Sequence, residues 1–378
     1  MRRKHLEDER IGHRKIEHIE VVLNHDVDFP EHCTNLYDAI ILIHQAYPRI
    51  NYEEIDLSTY FLGYKLSAPI IIEAMTGGHP DTYDINEKLA ELASELGLAI
   101  GVGSQRPMII YRNNDEVIKT YKVVREIAEN VPLIGNIGAN TLHDLVPEDI
   151  EWLVKTINAD ALAIHFNPAQ EAIQPEGDLR FSEKISEKIA EILDLLDIPL
   201  IIKEVGNGLS METVSKLRSV GVRIFDVAGA CGTNWILVEK YRKRTTPIKQ
   251  AIAELLARWG IPTPIAVIET RAAAPDSIII ASGGVWDGLK AVKSIAIGAD
   301  MVGLAKPIIK KLLLENYVSA KKYLETIIES MKIIMFLTGA RKINDLHKIP
   351  IILLEPYITY LKTRGINPEQ YIKYLRGS

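Results

Sequence analysis

From residue 69 onward the chain repeats one unit eight times: a short apolar run ending on a glycine or a polar residue, then an amphipathic stretch. The runs are Pro69–Glu73, Leu98–Val102, Leu133–Ile137, Ala161–His165, Leu200–Glu204, Ile224–Val227, Ile278–Ala281 and Met301–Gly303. Each is mostly apolar rather than alternating, as a strand reads when both of its faces are covered. Helical periodicity occupies 86–96, 116–129, 149–157, 182–196 and 211–217. Eight βα units in one chain predict a closed (β/α)8 barrel, a TIM barrel, over 69–307, because an open doubly wound sheet usually has fewer. Residues 1–68 then form an N-terminal extension. Residues 308–378 read mainly as C-terminal helices, with breaks near Gly339 and Pro350. No low-complexity linker divides the chain, so a single domain is expected.

The 378 residues, 47% of them hydrophobic, suffice for a large core. A net charge of −6 gives no general attraction to nucleic acid, so an anionic ligand must meet a local basic patch. No apolar run reaches the roughly 20 residues that span a bilayer. The charged first twenty residues hold no signal-peptide core. Two cysteines, Cys33 and Cys231, make no disulfide framework in a chain this long. These features predict a cytoplasmic protein in a reducing compartment, with no nucleic-acid or membrane partner.

Ligands of such barrels sit at the C-terminal ends of the strands, and polar residues gather there. Ser282-Gly283-Gly284 follows the seventh run and Gly303-Leu304-Ala305 the eighth. Small residues let backbone N–H groups approach a phosphate, and the loops after the last two strands are the usual phosphate site of a barrel. Lys203 ends a buried run; it either faces an anionic ligand or pairs with Glu204 or Asp226. His165-Phe166-Asn167-Pro168-Ala169-Gln170-Glu171 packs an imidazole, amides and a carboxylate into one stretch. Its carboxylate could hold Mg²⁺ jointly with waters and substrate phosphates, or the stretch simply starts a helix. No Cys/His pair has zinc-ligand spacing. Arg14, Lys15 and His18, with Arg106, could neutralise a diphosphate; alone, the N-terminal charges read as a solvated face. Cys231, in a glycine-rich loop, is either a nucleophile or a small residue tolerated in a tight turn.

Read in order, RKIEH, MTGG, GSQR, HFNPAQEAIQPEG, KEVGNG, GTNW, WGIPT and ASGG resemble the type II isopentenyl-diphosphate Δ-isomerases across nearly the whole chain. The resemblance implies an FMN-dependent isomerase that needs Mg²⁺ and NADPH as reductant, assembled as a homotetramer or homo-octamer. Carried over residue by residue, it assigns FMN to Ala74, Met75, Thr76, Ser104, Asn136, Lys203, Ala228 and Thr233. The FMN phosphate goes to Gly284, Val285, Trp286, Ala305 and Lys306. The substrate diphosphate goes to Arg14, Lys15, Ser104, Gln105, Arg106, His165 and Asn167, with Gln170 near the reacting carbons. Glu171 would hold Mg²⁺, and Gln170 and Glu239 would serve catalysis, Glu239 as a candidate proton carrier.

The chain departs from that pattern at four places. Ala228 replaces a small hydroxyl residue, Cys231 a glycine, Glu73 a small polar residue, and Lys306 an apolar one. One lost hydroxyl contact costs about 0.5–1.5 kcal/mol. Two other readings compete. One is a different barrel enzyme, either a 2-hydroxy-acid oxidase or a dehydrogenase using Cys231. The other is a flavin or phosphate sensor without turnover. An oxidase would need an Arg/His pair after the late strands, and the sequence has none there.

Overall fold

All eight runs form strands in the computed structural model, which describes residues 14–29 and 32–377. They are β1 (Ile70–Ile72), β2 (Ala99–Gly101), β3 (Leu133–Gly138), β4 (Ala161–His165), β5 (Leu200–Lys203), β6 (Ile224–Asp226), β7 (Ile278–Ser282) and β8 (Met301–Leu304). Each pairs in parallel with the next, and β8 returns to β1, closing the barrel. Among the described residues no helix is long and apolar enough to cross a membrane. The charged residues 1–13 and the Cys33 side chain lie outside the described residues.

The predicted helices form, with shifted ends. The 86–96 stretch becomes Tyr83–Leu96, fed by a 3₁₀ turn over Pro80–Thr82, and stops at Gly97, whose φ of 63° is the left-handed conformation of a helix stop. The helix Lys306–Leu314 opens at Lys306, so a boundary at 307 falls inside it. The C-terminal part is not wholly helical: Ile351–Leu353 pairs antiparallel with Ile40–Leu42. Each of those strands has only three residues and its partner lies some three hundred positions away, so neither carries a local strand signal.

Two cores result. A large one packs strands against the outer helices. A smaller one fills the barrel, where Ile71, Ala99, Ile134, Ile201, Ile280 and Met301 meet. The hairpin Thr59–Phe61 and Tyr64–Leu66 adds Phe61 and Leu66 to it. Its turn is tight because Leu62 and Gly63 both take positive φ, at 50° and 85°, as a type I′ turn requires. The hairpin meets residues near the strand starts, so it plugs the N-terminal end and leaves the C-terminal end for a site.

The extension supplies cover at that open end. Residues 14–24 are helical, and Val21, Val22 and Val27 pack against Val238 and Trp235. The chain then pairs with the loop after β6: Asn234 N donates to Val27 O at 2.7 Å and Phe29 N to Gly232 O at 3.0 Å.

Phe61 is 2% exposed. Phe61→Ala should therefore lower unfolding free energy by about 3–5 kcal/mol, the usual cost of emptying a buried aromatic site. Denaturant titration measures it, and a loss below about 1 kcal/mol would show that the hairpin does not plug the barrel.

Candidate active site

One large open cavity lies at the C-terminal ends of the strands. Residues from all eight strand ends reach it, together with Arg14, Lys15 and His18 from the N-terminal helix.

At the late strands, Gly283 and Gly284 take φ of 90° and 83°. A Cβ on Gly232 would sit 2.5 Å from Gly284 N, so only glycine lets these two loops meet. Ala305 and Trp286 line the same wall. Lys306 is buried there, ion-paired to Asp28 of the N-terminal segment, with its ammonium 5.2 Å from the Trp286 ring centre. Val285 is a correction to the expected set: its side chain is 1% exposed in the outer core and does not line the cavity.

The floor carries buried charge. Lys203 Nζ donates to Glu73 Oε2 at 2.9 Å and, at closer range, to Asp226 Oδ2. Ser282 Oγ donates to Asp226 Oδ1 at 2.5 Å. Burial opposes the Lys203 charge, but Asp226 and Glu73 outweigh it and raise the ammonium above its usual range. Glu204, the other sequence candidate for this pairing, turns instead to the backbone N–H groups of Val205, Gly206 and Asn207. Ala74, Met75, Ser104, Asn136, Ala228 and Thr233 surround the floor. Thr76 is 2% exposed and stands behind the wall, its Oγ1 without a hydrogen-bond partner, so it too leaves the expected contact set.

The mouth is basic. Burial and the neighbouring Arg14 push Lys15 down to about 7. Burial, with Lys15, Lys203 and Arg14, pushes His165 down to about 3, so its ring is neutral. His165 Nδ1 lies 2.8 Å from Asn136 Oδ1. The amide oxygen accepts, which fixes the proton on Nδ1 and leaves Nε2 open. Arg106 and Asn167 complete this wall. Gln105 does not: its Nε2 donates to Leu153 O at 3.1 Å and its Oε1 accepts from Asn136 N at 2.9 Å. It is fully buried and braces two strand ends rather than meeting a ligand.

Gln170 faces the cavity, and its Nε2 donates to Glu239 Oε1 at 2.8 Å. Glu239 is fully buried and does not line the cavity. Burial would raise its pKa, but His18 at 2.9 Å and Arg242 at 2.9 Å hold it at about 2. Its contact with the cavity runs through Gln170 and His18, which both line it. Sequence reading gave His18 only a charge role and missed Arg242, which lies two residues beyond the helix of Glu239 and three positions from it.

Glu171 Oε1 accepts from Asn167 Nδ2 at 3.0 Å, while its Oε2 accepts from Gln174 Nε2 and from Asp178 N. The buried Asn167 Oδ1 has no partner. One carboxylate beside one orphaned amide oxygen suits a hard cation that takes its other ligands from water and phosphate. Among the described residues no group of three or more His, Cys, Asp or Glu is placed to hold a metal ion. Cys231 is disulfide-bonded, so it offers no thiolate and cannot be a nucleophile as it stands; the unpaired-thiol expectation fails there.

A family model for FMN-dependent dehydrogenases matches residues 31–351. The isopentenyl-diphosphate delta-isomerase of Sulfurisphaera tokodaii is 42% identical over 363 residues, 96% of this chain and 96% of that protein. The enzyme of the same name from Aeropyrum pernix is 42% identical over 364 residues, again 96% of each. That of Methanothrix thermoacetophila is 41% identical over 356 residues, 94% of this chain and 96% of that one. Among solved structures, a flavocytochrome b2 variant aligns with a TM-score of 0.63 at 15% identity, covering 92% of this chain and 87% of that one. A mandelate oxidase aligns with a TM-score of 0.59 at 12% identity, covering 92% and 98%. At those identities the likeness is one of fold.

A diphosphate bound at the mouth would favour protonated Lys15, raising its pKa above the free value of about 7. Affinity is then greatest below pH 7 and falls as pH climbs from 7 toward the bound-state value. Calorimetry with inorganic diphosphate in two buffers of different ionisation enthalpy should show proton uptake at pH 8. Binding with no proton uptake there would overturn the assignment of Lys15.

Proposed function

The chain belongs to the FMN-dependent dehydrogenase family and, within it, to the isopentenyl-diphosphate Δ-isomerases; from that premise we propose that it converts isopentenyl diphosphate to dimethylallyl diphosphate. In this reading FMN and Mg²⁺ are bound, NADPH is the reductant, and the protein acts as a homotetramer or homo-octamer. The observation that carries it is the single cavity joining a glycine-lined phosphate wall and a lysine floor to a separate basic mouth, with Gln170 facing the space they share.

The two walls fit two ligands. The glycines at 283 and 284, the Lys306 charge and the Lys203 floor suit a phosphorylated flavin. Arg14, Lys15 and Arg106 suit the substrate diphosphate, and Glu171 with Asn167 suits Mg²⁺ bridging to it. The reaction moves one double bond: one carbon gains a proton and a neighbouring carbon loses one, with no net redox change. Reduced FMN supplies, when bound, electron density and an acid/base position beside the alkene.

The chain's own residues do the rest. The mouth holds the diphosphate and spends its binding energy on placing the reacting carbons. Gln170 is locked by Glu239 on one side and by Asn167 Nδ2, at 3.1 Å from its Oε1, on the other. A side chain fixed in that way holds its amide, or a water on it, in one place at the reacting carbons. Trp235 also lines the cavity, edge-on to His18 at 5.2 Å, and its ring can stabilise developing positive charge. The N-terminal helix covers part of the mouth with Ile19, Val22 and Leu23, apolar residues that line the cavity beside its cations. Oligomer formation is supported by exposed apolar residues, Ile248, Ile252 and Leu255 on the helix Pro247–Leu255 and Trp259 just beyond it.

The competing enzyme readings lose ground here: Cys231 is not a thiolate, and no arginine or histidine after the last two strands lines the cavity. The pure protein should be yellow and should bleach anaerobically with NADPH. With Mg²⁺ and D₂O it should then place deuterium in dimethylallyl diphosphate. Unchanged isopentenyl diphosphate with fully reduced, FMN-loaded protein would sink the proposal. Glu171→Ala should cost about 100-fold or more in kcat/KM, because metal stabilisation is worth several kcal/mol, and Gln170→Ala about 10²–10⁴-fold. Normal turnover in Glu171→Ala would remove the Mg²⁺ assignment.

A further inference from the structure

The floor of the cavity holds one cation and two carboxylates. Lys203 ends β5, and its neighbours in register are His165 on β4 and Asp226 on β6. Asp226 is the nearer of its two carboxylate partners and is itself bonded to Ser282. Glu73 reaches the same ammonium from β1, on the far side of the barrel, with its N–H fixed to Leu304 O at 2.9 Å. Its carboxyl lies over Gly303, where a Cβ would come within 2.1 Å of Oε1. Both Glu73 and Lys203 line the cavity, whereas Asp226 does not.

One carboxylate neutralises Lys203, so with Asp226 in place Glu73 adds a second negative charge beside it. We propose that Glu73 is a positioning residue whose carboxylate competes with bound FMN for the Lys203 charge and thereby sets the flavin's reduction potential. The inference rests on the reading above that FMN occupies this cavity. With Glu73 ionised, the three floor groups sum to one negative charge, which opposes the negative charge that a reduced flavin brings. With Glu73 protonated they sum to zero, and Lys203 is free to face the flavin. Reduction in this chain is thus tied to a proton on Glu73.

The groups around Glu73 support that titration. Burial first, then Asp226, raise its carboxyl to about 7 despite Lys203. From β4, His165 is neutral; β7 and β8 line the cavity with Ser282, Gly303 and Leu304, none of them charged. Glu73 is therefore ionised above about pH 7 and neutral below it, so the competition for Lys203 operates on the alkaline side.

The test measures the midpoint potential of FMN in the holoprotein, by anaerobic spectral titration from pH 5.5 to 8.5. Wild type is compared with Glu73→Gln, which keeps shape without charge, and Glu73→Ser, which keeps a small polar group should the glutamine variant fold poorly. At pH 8.5 both variants should bind reduced FMN about tenfold more tightly relative to oxidised FMN than wild type does, about +30 mV for a two-electron couple. At pH 5.5 the three proteins should coincide. A purely structural role would not open a gap with pH. Equal potentials throughout, or a gap that does not depend on pH, would overturn the inference while leaving FMN binding intact. Wild type that takes up no FMN, judged by quenching of flavin fluorescence, would overturn the cofactor reading and this inference with it.

Discussion

Closure of β8 onto β1 is the pairing on which the rest of the molecule depends. Val302, Gly303 and Leu304 lie opposite Ile70, Ile71 and Ile72. Without that seam the sheet has two open edges and no enclosed floor. With it, residues more than two hundred positions apart come into contact, and Glu73 meets Lys203 across the barrel. The seam also dictates residue size. A Cβ on Gly303 would fall 2.1 Å from the Glu73 Oε1 and 2.8 Å from the Ser282 Cβ, so the seam leaves little room there.

The charge distribution follows from where water is excluded. The chain as a whole is negative, yet the cavity mouth gathers Arg14, Lys15 and Arg106. Burial lowers the pKa of both Arg14 and Lys15, so the mouth carries an electrostatic cost that an anion would relieve. Lys203 lies deeper and is the opposite case: its carboxylates are built in and its charge is secured. One cavity thus has a floor whose cation is already compensated and a mouth whose cations await compensation. Two ligands of different charge are suited to those two environments, and the expected order of contacts, flavin below and diphosphate above, follows from the difference.

Much of this was legible in the sequence because the barrel strands are buried on both faces, and continuous apolar runs announce that condition. The rim residues could be found because polar groups follow those runs directly. What periodicity cannot give is side-chain direction in the turns beyond a strand. Ser104 and Arg106 reach the cavity, while Gln105 between them turns inward to Leu153 and Asn136. Gly284 and Trp286 line the wall, and Val285 between them packs into the outer core. Glu239 sits one layer too deep to touch a ligand, and only its partners His18, Gln170 and Arg242 reveal what it does. The Glu73–Lys203 pair spans the barrel, so no spacing along the chain announces it. The strand at 351–353 and its partner at 40–42 were hidden for the same reason.

The extension ahead of the barrel is part of the site rather than an appendage. His18 reaches Glu239, Glu17 reaches Arg242 at 2.9 Å, and Asp28 reaches Lys306. These three contacts tie the N-terminal segment to the groups that orient Gln170 and to the charge at the phosphate wall. Valine packing against Val238 and two backbone hydrogen bonds hold it there. Anything that strengthens this docking also fixes Glu239, and through it Gln170. By linkage, a ligand that engages Arg14 and Lys15 must favour the docked arrangement in return. Binding of the remote diphosphate and alignment of the reacting end are therefore not separate events in this fold: the same helix carries the cations for one and the imidazole for the other.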